Sequence, residues 1–281
     1  MDELAAKQVL LDFELITLIA LAVGVAYYAL LRRVQRREPS LEPVDYDMFD
    51  LVLMFFPAIL FLMNPIVEAV MAASGKATPV EPPKNDIFTV FVNIGYFAFV
   101  GIMTCGIIEW IRNRRVVDLF GLRELSLPKI IVISILGGVA SLLICAWAVG
   151  EFSSQYLEGV FGELEVQEPV KMFQESKSIV HLSLSILMAC IAAPVVEEFL
   201  FRGYMYGTLR RLTNPVFAAV IIGGLFAVVH GNLPALLPLW VFSILLCLAY
   251  EMTRCLWVPV GMHVFFNAAN IVLMLMPESA E

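Results

Sequence analysis

Eight apolar runs of transmembrane length follow one another along this chain, at about 10–31, 49–73, 87–111, 129–150, 179–200, 215–230, 233–252 and 256–276. About 20 helical residues cross ~30 Å of hydrocarbon while satisfying every backbone N–H and C=O internally, which neither a loop nor an open strand can do. The sequence therefore predicts an all-α polytopic membrane protein of about eight spans. The run 215–230 is short, so seven spans with a re-entrant piece is the other count. Hydrophobic residues make up 60% of the chain and charged residues only 16%, which excludes an ordinary soluble domain.

Lys and Arg near helix ends are retained on the cytoplasmic side during insertion. Eight spans with the N-terminus outside put Arg32, Arg33, Arg36, Arg37, Arg112, Arg114, Arg115, Arg123, Lys129, Arg202, Arg210, Arg211 and Arg254 on or toward the inside. Only Lys7, Lys76, Lys84, Lys171 and Lys177 of the 18 basic residues fall outside, and no arginine does. The net charge of −8 resides mainly at the two ends and in the stretch 151–168, and it speaks against a nucleic-acid partner. With no repeat and only the loops near 75–86 and 151–178 outside the membrane, one domain over 1–281 is the economical reading. The segment 118–129 reads either as a short amphipathic piece along the cytoplasmic interface or as an ordinary loop. The acidic start running into "RRVQRR" suits an uncleaved first span better than a removable signal peptide, and a chain of this size without targeting extensions suits a prokaryotic plasma membrane. The five cysteines have no metal-ligand spacing and read as small packing residues.

Inside these apolar runs, ionisable groups are costly, and each needs a partner, a wet cavity or a function. The stretch "PVVEEFLFRGYMYG" (194–207) places Glu197, Glu198 and Arg202 together. Residues four apart share a helix face, so Glu198 and Arg202 can pair, with the carboxylate on the favourable N-terminal side. Glu197, about 100° away, then points elsewhere and is free to act as a general base on water. Downstream, "FAVVH" sets Phe226 and His230 four apart, and "HVFFN" does the same for His263 and Asn267. At about 1.5 Å per residue, Glu197 lies ~20 Å from Arg210, His230 ~22 Å from Pro215, and Asn267 ~20 Å from Arg254. His263, at ~13 Å from Arg254, falls in the same slab, so four polar groups on three helices can converge on one cavity. His181 reads as an interfacial residue at the outer end of its span. Asn64, Glu68, Asn93, Glu109 and Glu251 are explained by packing or by snorkelling to a span end.

These three motifs, E-E-x-x-x-R, F-x-x-x-H and H-x-x-x-N in that order over residues 180–275, resemble those of the CAAX protease and bacteriocin-processing (CPBP, or Abi) intramembrane proteases. The Ras-converting CAAX prenyl endopeptidases belong to the same group. The resemblance implies helices enclosing an intramembrane cavity in which water attacks a peptide bond. It implies Glu197 as the catalytic glutamate and His230 as a holder and activator of the water. His263 and Asn267 would stabilise the oxyanion, and Glu198 and Arg202 would be the supporting pair. The substrate would be a peptide or protein at the bilayer, with lipidated CAAX-type tails, bacteriocin precursors and membrane proteins all open. The oligomeric state is equally open. No cofactor is expected. A zinc mechanism is the alternative, since Glu and His can ligate zinc, although H-E-x-x-H is absent and Asn267 is a poor zinc ligand. A non-catalytic immunity or scaffold protein, or a small proton-coupled transporter, is the reading from another class.

Overall fold

The computed structural model describes residues 46–61, 87–150, 153, 178–230 and 233–275. The first expected span, the second half of the next, and most of the loop 151–178 lie outside the described residues. No β-strand occurs among those described. The helices are α1 (Met48–Phe61), α2 (Ile87–Ile111), the single turn α3 (Val116–Leu119), α4 (Leu127–Cys145), α5 (Ile179–Leu212), α6 (Pro215–Val228), α7 (Leu233–Thr253) and α8 (Trp257–Leu275). Five of them, α2, α4, α5, α7 and α8, are long and apolar enough to cross a membrane. Large apolar side chains such as Phe88, Ile102, Ile131 and Val216 stand exposed, as lipid-facing residues must in a chain whose surrounding solvent is hydrocarbon.

Small residues set how closely the helices approach, because lipid tails give helix pairs no hydrophobic advantage and packing has to supply the attraction. On the α4/α8 seam a Cβ at Gly138 would stand 2.5 Å from the Phe265 ring, and Ser134 donates to the Val258 carbonyl at 3.1 Å. On the α6/α7 seam Gly223 makes room for Trp240, whose indole N–H reaches the Val220 carbonyl at 2.9 Å. Gly203 of α5 receives the ring of Phe120, and a Cβ there would lie 2.6 Å from it.

Two expectations change. The span read as 179–200 does not end there: α5 runs on to Leu212, because Phe201, Tyr204, Met205 and Tyr206 are all buried against neighbouring elements. The segment 118–129 does not lie along the interface as a separate amphipathic piece. Phe120 and Leu125 are buried, Phe120 packs edge-on against Phe199 at 5.2 Å, and the Leu256 N–H bonds the Phe120 carbonyl. Gly121, with φ +62°, makes the bend and lies against the Arg254 carbonyl, where no side chain fits.

Candidate active site

The site starts from a proline. Pro194 interrupts α5 and has no N–H to give the preceding turn. The helix answers by widening over Met188–Ala192 into π spacing, in which each carbonyl takes the N–H five residues on. For Ala189 that partner would be the nitrogen of Pro194. The orphaned Ala189 carbonyl instead accepts the Asn267 side-chain amide of α8 at 2.8 Å. α5 and α8 are thus pinned together one turn or two above the acidic pair. A second π stretch follows at Phe199–Tyr206, so Glu197 and Glu198 stand on a short regular segment between two widened ones.

Glu198 and Arg202 pair as their spacing requires, Nη1 to Oε1 at 2.8 Å, with neither side chain reached by solvent. The same Oε1 lies 2.8 Å from His263 Nδ1. A carboxylate held by a guanidinium is an acceptor, so Nδ1 carries the proton and donates it. The other ring nitrogen, Nε2, faces Glu197 Oε2 at 3.8 Å. Glu197 thus diverges from the Glu198–Arg202 pair, as the ~100° offset requires, and faces the cluster through His263. The two glutamates diverge around α5 and face opposite nitrogens of one imidazole; 3.8 Å is too long for a direct hydrogen bond and too short to seat a water between the two atoms, so a water touching both lies to one side. Glu197 is 8% exposed, whereas Glu198 and Arg202 are at 0%.

His230, just past the end of α6, is exposed. Its Nδ1 donates to the Phe226 carbonyl at 2.7 Å, which leaves Nε2 as an outward-facing acceptor. The Phe226 ring joins the parts: it lies 4.6 Å from the His230 ring, 5.8 Å edge-on from that of His263, and 4.4 Å beneath the Arg202 guanidinium. Phe242 closes the remaining side of His263 at 5.3 Å. Five of the six sequence-predicted residues thus belong to one connected cluster, and Asn267 is tied separately to α5 at Ala189. Two members were not foreseen, Phe242 and Ser243 of α7, where Ser243 Oγ accepts from Arg202 Nη2 at 2.7 Å. The one serine within "WVFSILLCLAY" was the available signal, since a serine in mid-span needs a partner.

Other residues fall elsewhere. His181 is buried, in the first turn of α5 at the outer end of its span. Glu251 receives Arg210, Arg254 and the Tyr206 hydroxyl at the basic end of α7, whereas Asn93 is exposed. Among the described residues no three His, Cys, Asp or Glu side chains gather in a way that could hold a metal ion. Of the donors named for the zinc alternative, Glu197 Oε2 and His263 Nε2 face one another at 3.8 Å.

Residues 179–269, which hold every one of these six positions, match the family model described as type II CAAX prenyl endopeptidase Rce1-like. Over that segment the chain is similar to CAAX prenyl endopeptidases. It is 29% identical over 138 residues to YdiL of Bacillus subtilis (strain 168), a membrane peptidase by provisional assignment, covering 47% of this chain and 57% of that one. It is 24% identical over 105 residues to the membrane-embedded CAAX protease MroQ of Staphylococcus aureus (strain USA300), covering 35% and 42%. The chain thus spans about half the length of these curated relatives. No solved structure matches it. Its apolar helices and bacterial membrane relatives make it a multi-pass prokaryotic membrane protein.

Proposed function

We propose that the chain is an intramembrane endopeptidase that hydrolyses membrane-associated peptides with a water activated by Glu197 and His230. The observation that carries this reading is the placement of His263 between two carboxylates, one orienting it through Nδ1 and the other 3.8 Å from its free nitrogen, so that a water lying to one side of that pair reaches both. Water held beside Glu197 gives it a proton as the oxygen attacks the scissile carbonyl, and we assign the second hydrogen bond to that water to His230, which reaches the cluster across the Phe226 ring.

Negative charge then develops on the carbonyl oxygen. Asn267 has spent one amide N–H on Ala189, so its second N–H serves as a neutral donor. His263 donates from Nε2 only as the imidazolium, because its Nδ1 proton is committed to Glu198. On collapse, the proton held by Glu197 passes to the leaving amine, and the C–N bond breaks without an acyl-enzyme. No metal is required in this scheme, and no resident cofactor is proposed. The substrate is a peptide at the bilayer, with a CAAX-type prenylated tail one member of the class.

The test is cleavage of a peptide library, lipidated and unlipidated, by the purified protein in detergent. Glu197→Gln, which keeps the shape and removes the base, should abolish hydrolysis while leaving a monodisperse protein. Retained turnover would remove Glu197 from its role. Dialysis against a chelator should leave activity intact. Loss on chelation that stoichiometric zinc restores would replace the mechanism and keep the peptidase.

A further inference from the structure

The Glu198–Arg202 contact is made by one nitrogen and one oxygen, and a single hydrogen bond does not fix the plane of a guanidinium as a two-pronged pair does. The oxygen it uses is also the one that receives His263, while Glu198 Oε2 and Arg202 Nε have no hydrogen-bond partner in the structure. Two contacts therefore hang on Oε1. If the carboxylate turned about its own axis, Oε2 would take over one of them, and the imidazole would lose its acceptor or share it differently. Something outside α5 has to hold the guanidinium still.

Two groups do. The Phe226 ring lies 4.4 Å from the guanidinium carbon, which restricts its tilt and adds cation–π attraction. Ser243, fully buried on α7, accepts from Nη2 at 2.7 Å and stops rotation within the plane. One turn further along α7, the Cys247 thiol also lies beside Arg202. We propose that Ser243 is a positioning residue: through Arg202 and Glu198 its hydroxyl sets which tautomer and orientation His263 presents to the reacting centre. The proposal rests on the hydrolytic reading for its consequence, but the chain of contacts from Ser243 to His263 does not.

Ser243→Thr and Ser243→Val have nearly the same shape and differ by the hydroxyl. Loss of a supporting partner behind a reactive group typically costs about 10- to 100-fold, so Ser243→Val should lower kcat by that much while KM stays within about 2-fold. Ser243→Thr should recover most of the turnover. A residue that only packed would show its loss in thermal stability, with kcat per folded molecule equal in the two variants.

A second measurement does not depend on activity. The chain has only 3 histidines, so nuclear magnetic resonance of the full chain in micelles, labelled at histidine nitrogen, resolves His263 once His181→Gln and His230→Gln spectra assign the others. The hydrogen-bonded Nδ1 proton of His263 should persist in wild type and Ser243→Thr and be shifted or broadened in Ser243→Val. An unchanged resonance in Ser243→Val overturns the proposal. If the wild type cleaves no peptide, the hydrolytic reading falls, and the resonance still decides whether Ser243 positions His263.

Discussion

At the scale of single residues, His263 has two nitrogens and a carboxylate near each, but the two carboxylates do unlike work. Glu198 is fully buried and shared between a guanidinium and an imidazole, so its charge is structural. Glu197 is slightly exposed and touches nothing closer than 3.8 Å on that side, which leaves it free to take a proton. Glu198→Gln keeps one oxygen acceptor but removes the charge opposite Arg202. Breaking one half of a buried ion pair typically costs about 3–5 kcal/mol, because the partner's charge stays behind uncompensated. Unfolding in detergent should show a loss of that order together with loss of hydrolysis, whereas Glu197→Gln should lose hydrolysis alone. Equal stability of the two variants would contradict this division. The i,i+4 pairing was legible in the sequence. Which nitrogen of His263 faces which carboxylate was not, because helical spacing within α5 says nothing about the rotation of a ring on α8.

At the scale of elements, α5 earns its geometry from Pro194. A proline inside a span is tolerated when another helix satisfies the carbonyls it orphans, and Asn267 does so for Ala189. Pro194→Ala would restore an N–H and let the π stretch at Met188–Ala192 rewind into regular helix, which turns Glu197 and Glu198 about the axis and strands the Asn267 amide. Alanine is the better helix former by up to about 3 kcal/mol in a helix interior. Melting temperature should therefore hold or rise, while turnover falls by about 10-fold or more, since displacing a reacting group by ~1 Å can cost 100-fold. Unchanged turnover alongside a stable protein would show that the widened turn does not place the carboxylates. The sequence displayed Pro194 plainly. Its consequence was hidden, because a helix can answer a proline by kinking, by ending or by widening, and the choice depends on what α8 offers across the seam.

At the scale of the whole molecule, the convergence of motifs from α5, α6 and α8 was legible because the depths of Glu197, His230 and His263 could be counted from the ends of their own apolar runs. The share of α7 in the site was not, since Ser243 and Phe242 look like ordinary residues of an apolar run. The full length of α5 was also missed: 34 residues rise about 51 Å, well beyond the ~30 Å of hydrocarbon. The end that overruns is the basic one. There Arg210 and Arg254 meet Glu251, and Arg112 meets Asp47 and Asp50 beside the Tyr204 hydroxyl of α5. The C-terminal ends of α2, α5 and α7 and the N-terminal ends of α4, α6 and α8 fall at this basic end, so the connections at residues 112–126, 213–214 and 254–256 share one side. The positive-inside rule makes that side cytoplasmic. Two introduced cysteines test it. Arg211→Cys, at the exposed basic end of α5, should react with a membrane-impermeant maleimide only after the cells are permeabilised. Ile179→Cys, 81% exposed at the opposite end of the same helix, should react in intact spheroplasts. Background should be low, because four of the native cysteines are buried and Cys105 is half-buried. Reversed labelling would invert the topology and bring the long end of α5, with Arg210, Glu251 and Arg254, to the outer face.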